Sequence, residues 1–249
     1  MSPESPSKTT LPGSRVFTTT LWSVVRLAGQ GEGTEAGQAL EKLCRVYWYP
    51  LYAYARRSGH DIEQARDHTQ SFFAHILSNQ FIAKADESRG RFRSYLLKSF
   101  ARFMRDERDR SHAAMRGGGV EHLSLDAEEA EARYRFEPVD ELDAEKIFER
   151  RWAVTLIERA LARLETEFKD SGKVREFTEM QPFLLGEGGE ATCAALAERL
   201  RVKPGAARVA LHRLRQRYQE LCRDEVAQTV TSPEDLEDEL QHLRRVLSS

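Results

Sequence analysis

The sequence predicts an all-α fold of two small helical domains joined by an acidic flexible linker, the second domain containing a helix-turn-helix. Three observations carry this expectation. Apolar residues recur at spacings of three and four through most of the 249 residues, which is the helical period. No β-branched run alternates with polar residues over the length of a strand. Charge is blocked: residues 1–110 hold 17 basic and 12 acidic side chains, 111–150 hold 5 and 11, 151–225 hold 14 and 12, and 226–249 hold 2 and 5. An acidic stretch thus separates two basic ones, the pattern expected when both blocks touch a polyanion and the connector does not.

Composition narrows the class further. With 31% charged and 40% hydrophobic residues, the chain reads as globular, with apolar material for one or two cores. Cys44, Cys193 and Cys222 are odd in number, widely spaced and set among apolar helical positions, so they read as buried thiols in a reducing cytoplasm. The histidines form no metal-ligand spacing, and neither a metal nor another cofactor is expected. The N-terminus has no apolar core of a signal peptide and no run suits a membrane helix, which predicts a cytoplasmic protein with no membrane partner.

Residues 1–20, rich in Ser, Thr and Pro, read as a disordered arm. The first helical domain spans 21–110. Leu21, Trp22, Val24 and Val25 open it; after the break at Gly29–Gly33, Leu40, Leu43 and Tyr47 give a helix, and Pro50 restarts another with Leu51 and Tyr54. Asp61 caps the next helix, with Gln64 completing a reciprocal capping arrangement three residues on. Ala65, Thr69, Phe72, Phe73, Ile76 and Leu77 form its buried side, while Asp67, Gln70 and Ala74 fall on a polar face.

From Arg89 to Arg110 the sequence runs RGRFRSYLLKSFARFMRDERDR. Phe92, Leu96, Phe100 and Phe103 define a buried side. Tyr95, Lys98, Arg102 and Arg105 define another, with Arg91 and Arg93 at its start. A cationic stripe headed by an aromatic ring suits single-stranded nucleic acid, because positive charge follows phosphates and a ring stacks on an unstacked base. The alternative is an ordinary amphipathic helix whose cations pair with Asp106, Glu107 and Asp109.

Residues 111–143 are the acidic linker. Gly117, Gly118 and Gly119 supply slack rather than a phosphate-cradling loop, since no strand precedes them and no Lys-Ser/Thr follows; Glu128–Tyr134 has the makings of a short helix. The second domain spans 144–225. A long helix from Ala144 to about Phe168 carries Phe148, Trp152, Ile157, Leu161, Leu164 and Phe168, and Phe177, Met180, Phe183 and Leu184 mark a short one. After Gly186–Gly189 comes TCAALAERLRVKPGAARVALHRLRQRY. Ala194, Leu196, Ala197 and Leu200 line one helix, Val202–Gly205 break it, and Ala207, Leu211, Leu214 and Tyr218 line the next, with Pro204 at a first helical position.

Arg208, Val209, His212, Arg213 and Arg215 fall away from that stripe. As a helix-turn-helix, the unit would lay its second helix in a major groove, with Arg208, Val209 and His212 at base edges and Arg213, Arg215 and Arg217 at phosphates. The turn position that often holds Gly is Arg201, where a positive φ would cost on the order of 1 kcal/mol. The alternative is a helical hairpin with solvated arginines. In 226–249, Ser232 and Pro233 start an amphipathic helix with Leu236, Leu240, Leu243 and Leu247 on one stripe, expected to dock on its own protein.

Taken together, YPLYAYARRSG, DIEQARDHTQSFF and GRFRSYLLKSFARFMRDERDR within residues 48–110, followed by PGAARVALHRLRQRY within 145–220, resemble the two domains of bacterial RNA polymerase sigma factors of the extracytoplasmic-function, sigma-70-like family. The extra length at both ends and in the linker is similar to the long planctomycete-type variants. The resemblance implies a non-enzymatic promoter-specificity subunit whose partners are core RNA polymerase, promoter DNA and an anti-sigma factor or another regulator. It places Asp67, Gln70 and Phe73 in the polymerase-docking motif. Tyr95 stands at the family's Trp, on the helix that engages and opens the promoter element nearer the start site, with Lys98, Arg102 and Arg105 beside it. Arg208 to Arg215 fall in the recognition helix for the distant element. The chain departs from the family at Arg102 (usually Asn), Thr69 and Ser71 (Val and Glu), and Ala206 and Ala207 (Thr and Val). The rival expectation is a stand-alone helix-turn-helix regulator that needs no polymerase. A helical enzyme is disfavoured because no nucleophile–base pair, spaced carboxylate pair or metal set is found.

Overall fold

The computed structural model describes residues 34–77, 91–113, 127–135, 143–184, 190–230 and 232–248, and all regular structure among them is helical. The expected arm at 1–20, the helix at Leu21–Val25 and the glycine runs at 117–119 and 186–189 lie outside the described residues.

Helix α1, Thr34–Arg57, passes through Pro50 without a break, where the sequence suggested a restart. An internal proline costs about 3 kcal/mol. On either side of it, however, Leu43, Tyr47, Leu51 and Tyr52 are at most 1% exposed, and burying each such side chain contributes about 1.5–3 kcal/mol. Packing therefore decides the local conformation. Helix α2, Ile62–Leu77, starts with the expected reciprocal cap: Gln64 N donates to Asp61 Oδ1 at 2.8 Å and Asp61 N donates to Gln64 Oε1 at 3.3 Å. Helix α3, Phe92–Ala113, buries Phe92, Leu96, Phe100 and Phe103.

Helix α4, Ala127–Tyr134, falls where the sequence placed a flexible linker. It is tied down: Arg56 of α1 makes two 3.0 Å bonds to the Glu131 carboxylate, which also accepts the Tyr52 hydroxyl at 2.7 Å. Helix α5, Ala144–Asp170, is capped by Asp143, whose carboxylate accepts Lys146 N, and it ends where Gly172 turns to φ 70°. A short helix α6, Val174–Met180, runs into a 3-10 turn, Gln181–Phe183. Then follow α7, Glu190–Leu200, α8, Pro204–Ala227, and α9, Pro233–Ser248.

Two apolar clusters result. The first joins α1, α2 and α3 to Ala130, to Phe148, Trp152 and Leu156 of α5, to Val226 and Val230, and to Leu236 and Leu243 of α9. The second joins Ala160 and Leu164 of α5 to Phe177, Met180, Leu196 and Ala197, and to Ala207, Leu211, Leu214, Tyr218 and Leu221 of α8. The two clusters meet along α5, with Ile157 touching both. One continuous helix thus serves both cores because its apolar stripe is long enough to bury half its length in each. Helix α9 docks on α5 and α8 as expected, although Leu247 remains 38% exposed. No described helix is long and apolar enough to cross a membrane.

Candidate nucleic-acid interface

The turn between α7 and α8 is set by backbone bonds. Arg201 N donates to Glu198 O at 3.2 Å and Val202 N to Ala197 O at 3.0 Å. These bonds carry the chain through Arg201 at φ 55°, the one non-glycine positive φ among the described residues. Glycine would sit there without strain. Extended Lys203 then hands over to Pro204 in the first turn of α8, where the absent N–H leaves no bond unmade.

Helix α8 divides cleanly over its first three turns. Ala207, Leu211 and Leu214 are buried, and Arg208, Val209, His212 and Arg213 are exposed, Val209 by 48%. An exposed valine among cations can meet an apolar group such as a thymine methyl.

Two arginines expected on the phosphate side are employed elsewhere. Arg215 is half-buried and donates from Nη2 to Phe183 O at 2.7 Å and from Nε to Leu184 O at 3.2 Å. Those carbonyls lie at the end of the 3-10 turn, and the guanidinium folds inward to bond them. Arg217 binds Glu167 at 2.6 and 2.8 Å and Glu220 at 2.8 Å. Hydrogen bonding from Arg217 holds the Glu167 carboxyl below its usual range.

On α3, Lys98, Arg102 and Arg105 are exposed as expected. Arg102 lies 3.9 Å from Asp106 and is 82% exposed, a pair of little energetic weight. Tyr95 only half fits the expected stripe, since its ring packs against the first core and burial pushes its hydroxyl pKa up. Arg91 and Arg93, expected to begin the stripe, turn the other way, toward α9. Arg91 Nε lies 3.0 Å from Glu239 Oε2, and Arg93 Nε lies 2.9 Å from Glu239 Oε1. Arg93 also reaches Glu149 of α5 at 3.1 Å and lies over the Trp152 ring, 4.9 Å from its centroid. His242 of α9 meets the other Glu149 oxygen at 2.8 Å. Burial lifts the Glu239 carboxyl above its usual range, although Arg93 and Arg91 pull against it. This buried network was not read from the sequence, where Arg91 and Arg93 fall at the start of the cationic stripe.

On α2, Asp67 is exposed beside Arg66 at 3.4 Å, and Gln70 is half-buried. Phe73, expected among the polymerase contacts, is 1% exposed and belongs to the first core. Its spacing with Ala65, Thr69 and Ile76 makes it a packing residue, and a partner can meet it only through its neighbours. Compared with known protein families, curated proteins and solved structures, the chain matches none.

Proposed function

We propose that the chain is a promoter-specificity subunit of the sigma type, which binds core RNA polymerase in the cytoplasm, recognises two promoter elements and has no catalysis of its own. In this reading α7 and α8 act as a helix-turn-helix domain that reads duplex DNA. Helix α3 engages the element nearer the start site and helps open it, and the polar face of α2 carries Asp67 and Gln70 to the polymerase. The supporting observation is the outer face of α8: Arg208, Val209, His212 and Arg213 stand exposed from a helix that begins at Pro204 after a tight turn. Arginine suits guanine edges and phosphates, histidine can donate to either, and valine suits a thymine methyl. The exposed cations of α3 supply the second contact.

The test adds the purified full-length chain to sigma-free polymerase and asks whether they co-elute and initiate on genomic DNA. Co-elution, with run-off transcripts that fall in Tyr95→Ala, Lys98→Ala and Arg208→Ala, is expected; elution apart from the polymerase overturns the reading. A stand-alone duplex-binding regulator is the second reading, favoured by the burial of Phe73, which leaves the docking motif only exposed Asp67 and half-buried Gln70. It requires tight duplex binding without polymerase and indifference to Asp67 and Gln70 substitution.

A further inference from the structure

A cavity of about 660 Å³ opens where α3, α5 and α9 meet over Tyr54 of α1. Its volume is that of a small-molecule site. Helical spacing builds each wall: Leu97, Lys98, Ala101 and Arg105 from α3, Lys146 and Arg150 from α5, and Val246 from α9. Four cations line it against two carboxylates, and one of those, Glu149, is already committed to Arg93 and His242. Among the described residues no carboxylate forms an ion pair with Lys98, Arg105 or Arg150, while Lys146 has only Asp143 at 3.6 Å. Lys146 and Arg150 are one helical turn apart, an arrangement that like charges disfavour. An anion would relieve this concentration of positive charge. The floor is apolar and aromatic, with Tyr54 packed on Phe100 at 6.1 Å between ring centroids.

We propose that this cavity binds a small phosphate-bearing ring compound of the nucleoside diphosphate class. Its phosphates meet Arg150, Lys146 and Lys98, and its ring lies over Tyr54 and Ala101. Arginine binds phosphate in a planar, two-pronged geometry and lysine as a point charge; the apolar floor adds affinity for a ring that bare phosphate lacks. Because the site draws on Lys98 and Arg105, an occupant competes with nucleic acid along α3. The binding itself stands apart from the transcriptional role.

Calorimetry on the full-length chain, with neither DNA nor polymerase, tests it using ADP, inorganic pyrophosphate and a short single-stranded oligonucleotide as probes. Wild type is expected to bind ADP more tightly than pyrophosphate. Arg150→Ser should weaken both by about tenfold, and Ala101→Phe, which fills the floor, should weaken ADP alone. The thermal midpoint of each variant, matched to wild type, shows that the fold is kept. Absence of ADP binding at low-millimolar concentration, equal affinity in wild type and both variants, or binding of the oligonucleotide in place of ADP each overturns the proposal.

Discussion

Arg208 and Arg215 lie two turns apart on α8 and answer to different forces. Arg208 is exposed, whereas Arg215 gives two bonds to carbonyls that end the neighbouring turn. Arg208→Ala should therefore cost less stability than Arg215→Ala and weaken duplex binding by about 1–3 kcal/mol. Arg215→Ala should do the reverse, lowering stability by about 1–3 kcal/mol because part-buried carbonyls lose charged donors. Urea unfolding and duplex titration of both variants check the pair, and a stability loss in Arg208→Ala alone would contradict the assignment. Sequence spacing put both arginines outside the apolar stripe. It could not say that Arg215 bends back, because its partners are 31 and 32 residues away. Arg201 was half legible: spacing left either a looser turn or a left-handed Arg201, and Arg201 takes φ 55°. Arg201→Gly should raise stability by about 0.5–1 kcal/mol by removing the steric strain, an increase measurable in the same titrations.

Helices in this chain form for reasons the sequence displays unevenly. The Asp61–Gln64 cap and the short helix near Glu128–Tyr134 were readable because their determinants are local. The continuity of α1 across Pro50 was not, because what holds it is packing from other helices. The same applies to the docking of that short helix, α4, whose acidic composition suggested slack while its anchor is Arg56 on a distant helix. That anchor has a pH signature. Burial alone would raise the Glu131 carboxyl, but the Arg56 bonds and the Tyr52 hydroxyl outweigh it and hold the pKa below the usual value of 4.5. A carboxyl depressed in the folded state contributes stability that is present above the unfolded pKa and is lost as pH falls through the folded one. The stability gap between wild type and Glu131→Gln should then be widest near about pH 6 and close toward about pH 3. Urea midpoints across that range measure it; a gap that stays constant would mean the carboxylate charge plays no part.

At the scale of the whole molecule, α5 passes through both cores and α9 closes over the first, so α3, α5 and α9 are joined through one buried charge cluster. Arg93 is 4% exposed and Glu239 1%. The Glu239 carboxyl stands above its usual range despite two guanidiniums within 3.0 Å, so their attraction does not recover what desolvation takes away. Such a pair adds little net stability, yet breaking it is damaging because it strands a charge in the interior. Glu239→Ala leaves Arg93 only Glu149 as a partner and should lower stability by about 3 kcal/mol, the low end for a broken buried pair. With a midpoint shift of about 2–4 °C per kcal/mol for a chain of this size, the loss is on the order of 10 °C. Replacing both partners, Arg93→Met with Glu239→Leu, should recover most of the loss, since an apolar pair of similar volume carries no desolvation penalty. Calorimetric melting of Arg93→Met, Glu239→Leu and the double variant forms a closed cycle, in which independent sites would add and this pair should not. A double variant as unstable as the sum of the singles would show that α9 is held by its leucine stripe alone.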